Sequence, residues 1–381
     1  MRIVVVHSRY LSGDLSGENR VVSDEVDLLQ RHGGHDVALY SPTYSVDSGR
    51  LRGAVGVVWS RHHANAVRRL VDRVRPDLVH VHSLYPALSP AVLRAVPESV
   101  PVVMTLHNFR YACLPATFLR DGRICEDCLG RVPFRGVVHR CYRGSLAASG
   151  VLASSLTLHR ALGSFARVRL FLAVSGLIRD KLALAGIPRE RIRVKPNFAP
   201  PSAARSGAGD YVLAVGRLTE EKGFDTVVDA AKQASCRLIV AGDGVERSRL
   251  EQRAGSETEF VGAVVHDRVG ELLAHARALA VPSRCYEGSP IVVLEALSAG
   301  VGVIASRMGG LEEVLDGSGA GQLVAPEDVD AWADALGSLD DDLEVERSGA
   351  AAYELWQRRF SPVVALRALE DAYSEALQSV A

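Results

Sequence analysis

No stretch of this chain reaches the roughly 18 consecutive uncharged apolar residues that a membrane span needs. The chain also lacks net charge. At −1 overall it offers no global electrostatic case for a nucleic-acid partner. Lysine is scarce, occurring only at 181, 195, 222 and 232 among 44 basic residues. An arginine bias of this kind follows a GC-rich coding sequence more readily than a function. The opening Met-Arg-Ile-Val-Val-Val-His-Ser has too short an apolar run for a secretory leader. The expectation is a cytoplasmic protein whose cysteines stay reduced unless a metal holds them.

What is present is a soluble globular composition, 48% apolar and 23% charged over 381 residues. That length exceeds one ordinary core, so two domains are expected. Apolar runs alternate with amphipathic helical patterns, the signature of α/β architecture with parallel, doubly wound sheets. Strands are expected at 3–6, 37–40, 77–82, 102–107 and 170–174, with a helix over 18–32 ending at Gly33-Gly34. Residues 199–209 are small and turn-rich and read as a linker. The pattern then restarts, with strands at 211–215, 237–241, 278–281 and 301–305. The expected domains are 1–200 and 205–360, followed by a terminal helical segment over 361–381.

Ligands of such sheets sit beyond the carboxyl ends of the strands, and the chemistry-bearing residues cluster there. Glu287-Gly288-Ser289-Pro290-Ile291 and Glu295 place two carboxylates around a helix start, with Pro290 expected as the first helical residue. Free backbone N–H groups on that first turn suit an anion. A buried acid beside a turn would read the same way. Arg217 and Lys222 lie on the loop after the strand at 211–215, as two cations suited to a departing diphosphate. A solvated surface loop is the alternative. The loop after the first strand carries Gly13 and Gly17, where a backbone N–H can approach a phosphate or sugar. Neither this loop nor Gly242-Asp243-Gly244 spells the full dinucleotide fingerprint; the latter reads as a strand-to-helix turn. His107 ends a strand. His80 and His82 share a strand face, one expected in the core and one facing the ligand.

Cys113, Cys125, Cys128 and Cys141 fall in one segment, 113–141, around a Cys-x2-Cys pair. Four thiolates suit structural zinc, with an iron–sulfur cluster or free thiols as alternatives and His139 as a substitute ligand. The insert also holds several arginines. The region 61–75 is basic, which reads as a solvated face or a peripheral membrane edge.

Taken in order, these motifs resemble the retaining nucleotide-sugar glycosyltransferases of the GT-B fold, glycosyltransferase family four and glycosyl transferases group one. Val281-Pro282-Ser283, Ala299-Gly300 and Gly309-Gly310 with Glu313 fit the same pattern. The resemblance implies two Rossmann-like domains facing across a cleft, the first on the acceptor side and the second binding the donor, with the last helix crossing back to the first. It implies a nucleotide-diphosphate sugar as donor substrate and a hydroxyl acceptor, whether natural product, glycan or lipid-linked. Glu287 would bind sugar hydroxyls, and the Gly288, Ser289, Pro290 and Ile291 turn would orient sugar and phosphates. Glu295 would hold the ribose. Arg217 and Lys222 would neutralise the diphosphate, and Gly242 and Gly244 would line the nucleotide site. Gly17 would touch phosphate and His107 the sugar. No catalytic metal is expected. Where many relatives carry a Gly-Gly pair, this chain has Ser16-Gly17. An epimerase, a phosphorylase or a zinc-bearing binding protein on the same scaffold are the competing readings.

Overall fold

A computed structural model of the chain describes residues 1–9, 16–43 and 55–378; Gly13 lies outside them. The chain divides into two compact units. One comprises Met1–Phe118, Cys125–Pro196 and Leu366–Ala381, and the other Leu119–Ile124 and Asn197–Ala365.

The first unit is built on a six-stranded parallel sheet. Its strands are β1 (Arg2–Val6), β2 (Asp36–Tyr40), β3 (Leu78–Val81) and β4 (Val102–Leu106), then β7 (Val168–Ala173) and β8 (Ile192–Val194), in the order β2-β1-β3-β4-β7-β8. A short antiparallel hairpin, β5 (Leu119–Arg120) with β6 (Arg123–Ile124), is a two-stranded sheet of its own and belongs to the second unit. The first helix starts at Gly17, with Ser16 as N-cap accepting from the Asn19 N–H. It runs to Asp27 and continues as a π-helical turn over Leu28–His32. It ends at Gly33-Gly34, where Gly34 takes the left-handed φ of 62° that glycine tolerates best.

The second unit repeats the plan. Its strands are β9 (Tyr211–Val215), β10 (Leu238–Ala241), β11 (Thr258–Gly262), β12 (Ala276–Val281), β13 (Gly302–Ser306) and β14 (Gly321–Val324). Their order is β11-β10-β9-β12-β13-β14, all parallel, which is the 3-2-1-4-5-6 arrangement of a dinucleotide-binding sheet. Both faces are covered, so alternate residues of one strand enter different cores. Leu213 packs into one buried cluster with Ile239 and Leu279, while Val212 and Ala214 pack into another with Val240 and Trp332. This explains the uninterrupted apolar runs of the central strands.

The turn-rich stretch 199–209 is stitched onto the second unit. Trp356 Nε1 donates to the Ala199 carbonyl at 3.0 Å, Ser298 Oγ lies 2.7 Å from Ser202 Oγ, and the Arg205 N–H reaches the Ala299 carbonyl at 2.8 Å. The division between the units falls before it, at Pro196/Asn197. The last helix, Pro362–Gln378, passes into the first unit at Leu366. There Tyr373 is fully buried, and Arg193 pairs with Glu375.

Candidate functional site

In the second unit the strand order reverses between β9 and β12, and ligands of open α/β sheets bind at such a point. The loops leaving those two strands carry Lys222 and Glu287. Gly223 joins them. Its φ is 65°, and a Cβ there would lie 2.1 Å from the Pro282 carbonyl oxygen. Only glycine lets the β9 loop press onto the β12 loop this closely. The result is an ion pair, Lys222 Nζ to Glu287 Oε1 at 2.6 Å, with Ser283 Oγ donating to the same oxygen at 2.5 Å. Burial alone would lower the Lys222 ammonium, but the Glu287 carboxylate outweighs it and holds it above its ordinary value. Burial would likewise raise Glu287; Lys222, Ser283 and Arg217 together pull it below the usual range. Both groups are therefore charged at neutral pH.

The Glu287 backbone is held from the other side. Gly310 donates to the Glu287 carbonyl at 2.9 Å, and a Cβ at Gly310 would meet the Gly288 oxygen at 2.2 Å. The helix after the acidic turn runs from Ile291 to Ser298. Pro290 is its N-cap in extended backbone and not its first helical residue, one position earlier than the sequence suggests. Ser289 does not cap the helix: its Oγ is buried without a partner. Asn197 donates to the Ser289 carbonyl at 3.0 Å and leaves its own Oδ1 unpartnered, as does Thr219 with Oγ1. Buried polar atoms are nearly always satisfied, and these three are among the exceptions in the described residues. Glu295, almost wholly buried on the second helical turn, faces His266 Nδ1 at 3.1 Å.

Arg217 parts company with Lys222. Its side chain is mostly exposed and reaches Glu221 at 3.5 Å. Gly242 and Gly244 have packing reasons. Side chains there would strike the carbonyl oxygens of Gly216 and Leu218, at 1.8 and 2.3 Å. Those glycines let the β10 turn lie flat against the Gly216-Arg217-Leu218 loop.

In the first unit a buried polar chain runs behind the strand ends. Lys195 is ion-paired with Glu25, and both are at most 2% exposed. Glu25 Oε1 lies 3.3 Å from His80 Nδ1 and 3.4 Å from His82 Nε2. His80 also bonds Tyr373 and Thr105, each at 2.8 Å. His82 Nδ1 meets His107 Nε2 at 2.9 Å. His80 is thus a core residue, whereas His82, equally buried, lines a pocket together with His107, the division expected from their shared face. Burial pushes His80 and His7 down to about 4 and His82 and His107 well below their ordinary value, so all four are neutral.

Neutrality decides the tautomers. A lone pair on His82 Nε2 would confront the carboxylate oxygen, so that nitrogen carries the proton and Nδ1 accepts from His107 Nε2–H. His107 Nδ1 is left as an acceptor, buried and without a partner. It borders a pocket of ≈ 50 Å³ lined in part by Tyr85, Asn108, Arg110 and Tyr111. Asn108 bonds Glu18 at 3.2 Å, one residue past Gly17. A Cβ at Gly17 would meet nothing within 4 Å among the described residues.

The family model described as Glycosyltransferase Family 4 matches residues 15–202, and that described as Glycosyl transferases group 1 matches 209–342. The chain belongs to this family of glycosyltransferases. It is 26% identical to the alpha-D-kanosaminyltransferase of Streptomyces kanamyceticus over 355 residues, 85% of each chain. With the glycogen synthase of Mycobacterium tuberculosis it shares 30% over 290 residues, 73% of this chain and 64% of the other. Among solved structures, sucrose-phosphate synthase from Thermosynechococcus elongatus superposes with a TM-score of 0.72 at 17% identity, covering 99% of both chains. Anabaena HepE, solved with UDP and glucose, gives 0.66 at 17%, covering 98% of this chain and all of the other. The fold is GT-B.

The zinc tetrad that the cysteine spacing of this glycosyltransferase suggests is not shown by the structure. Among the described residues, the group of ligand atoms gathered within 4.8 Å is Glu25, His80 and His82, and not Cys113, Cys125, Cys128 and Cys141. Cys113 is buried and its thiol is pushed up to about 11, by burial first and in small part by Cys128. Nor does the Glu25 cluster invite a cation, because the Lys195 ammonium already neutralises its one carboxylate. Sequence reasoning missed His266, Asn197, Glu25 and Lys195 as site neighbours. Only the position of His266 just after β11 could have pointed to one of them.

Proposed function

We propose that this glycosyltransferase moves a sugar from a nucleotide-diphosphate sugar to a hydroxyl acceptor with retention of anomeric configuration. The observation that carries the reading is the Lys222–Glu287 ion pair at the β9/β12 switch point, beside the orphaned polar atoms of Thr219, Asn197 and Ser289. A carboxylate held charged and fixed by Lys222 and Ser283 is a good acceptor for sugar hydroxyls. It is a poor proton acceptor for the same reason. Glu295, paired with His266, suits a ribose. Lys222 and Arg217 supply positive charge for the diphosphate as it departs. In the first unit, the N–H groups that open the helix at Gly17 suit a phosphate. His107 Nδ1 accepts from a sugar hydroxyl. HepE carrying UDP and glucose supports a donor of this class.

The step balances without a protein nucleophile. The bond from the anomeric carbon to the acceptor oxygen forms, and the bond to the phosphate oxygen breaks. The acceptor's proton passes to the departing phosphate oxygen on the same face. A thermal-shift screen of uridine, guanosine, thymidine and adenosine diphosphates, followed by their sugars, identifies the donor. Proton NMR of the first product then reads the anomeric configuration. A coupling constant showing inversion overturns the mechanism, and no nucleotide-dependent shift overturns the donor class.

A further inference from the structure

A membrane edge needs exposed apolar side chains as well as positive charge. The helix Arg61–Val74 has only the charge: none of its large hydrophobic residues is exposed. The segment 131–146 has both. Val132, Phe134, Val138 and Leu146 are 62, 68, 54 and 55% exposed. Phe134 and Val138 sit four residues apart on the five-residue helix Phe134–Val138 and so share its outer face. The opposite face is anchored. Pro133 is buried, and Gly136 lies against Leu114 so tightly that a Cβ would come within 2.9 Å of it. The Arg131 carbonyl accepts from Arg160, and the Tyr142 N–H is held by Ser149 at 2.9 Å. The apolar residues are presented by a fixed support and not by a loose loop.

Along the chain from residue 128 the charge is of one sign, although Glu126 and Asp127 line the same recess as Arg131 and Arg135. No acidic residue occurs from 128 to 179, a span with arginine at 131, 135, 140, 143, 160, 167, 169 and 179. Arg135 is engaged by Asp127 at 3.3 Å. Arg131, Arg140 and Arg143 are exposed and have no carboxylate within 4.0 Å among the described residues. Exposed apolar residues ringed by unpaired arginines complement a surface that is apolar inside and negative outside. Arginine stems can lie along the acyl boundary while their heads stay with phosphates.

We propose that residues 131–146 form a docking surface for an anionic lipid bilayer, with Phe134 and Val138 entering the headgroup–acyl boundary and Arg131, Arg140 and Arg143 contacting the lipid phosphates. The full chain should co-sediment with vesicles containing phosphatidylglycerol and not with pure phosphatidylcholine, and 0.5 M salt should release it. The double variant Phe134→Ser/Val138→Ser should weaken binding about tenfold or more. Each of Arg131→Gln, Arg140→Gln and Arg143→Gln should cost about fivefold. Leu343→Ser, which removes an equally exposed apolar residue elsewhere, should bind as wild type. Thermal midpoints should stay near wild type throughout. If the double serine variant proves unstable, the arginine series tests the same surface. Equal binding to both vesicle types, no binding by wild type, or full binding by the variants overturns the proposal. So does a dimer, seen by light scattering, that the serine substitutions abolish.

Discussion

Glu287 and Lys222 each depend on the other to be what they are. Removing the lysine leaves a mostly buried carboxylate beside Ser283, and removing the acid leaves an ammonium that burial would press downward. Glu287→Ala and Lys222→Ala should each lower kcat/KM by about a hundredfold or more, the scale seen when one preorganised charge is lost. Glu287→Ala should act chiefly on kcat. Steady-state kinetics with the identified donor checks both, and unchanged kcat/KM in either would remove that residue from the site. The acid and the lysine were legible as chemistry in the sequence. Their partners were not. Asn197 lies 92 residues from Ser289, and Lys195 lies 170 from Glu25; no periodicity connects positions that far apart.

At the scale of elements, Gly223 ties the loop after β9 to the loop after β12. Alanine would carry a methyl to 2.1 Å from the Pro282 oxygen and would also strain a φ of 65°. Gly223→Ala should therefore spread the two loops, lowering the thermal midpoint and kcat/KM together. A variant with normal turnover would show that the close approach is not needed for the Lys222–Glu287 pair. The central strands were readable because burial on both faces leaves unbroken apolar runs. Of the four edge strands, β2 was expected at 37–40 and the other three escaped notice for the opposite reason. Thr258–Gly262 and Gly321–Val324 are short, partly exposed and contain glycine, and Ile192–Val194 has an exposed arginine at its centre. The hairpin Leu119–Ile124 has only two residues per strand, too few for any pattern. The helix start at Ile291 was misplaced by one residue because a proline fits the N-cap and the first turn almost equally well.

For the molecule as a whole, the buried histidines set the acid limit. His7 and His80 titrate near 4 when folded and near 6.5 when unfolded. Between those values the unfolded chain binds more protons, so stability falls as pH drops. The loss begins below about 6.5 and is complete near 4, on the order of 3 kcal/mol per histidine. His82 and His107, also held well below their ordinary value by burial, add to the same slope. Urea denaturation at stepped pH should show this decline, and His80→Gln should make it shallower. A midpoint constant from pH 7 to 5 would mean that these side chains are not buried and neutral.

The last helix gives the order of synthesis a peculiar role. Tyr373 completes the surroundings of His80, and Glu375 pairs with Arg193, yet both are made some 180 residues after the strand β8 that closes the first sheet. Domains generally fold as they leave the ribosome, the earlier one first. Here the earlier one must wait. Its sheet can form while the second unit is still being translated, but the hydroxyl that faces His80 arrives only when residue 373 emerges. The second unit, contiguous but for the hairpin at 119–124, can finish before the first. A fragment ending at Pro196 is thus a domain permanently stalled in mid-synthesis, and joining residues 366–381 to it should supply what translation had not yet delivered.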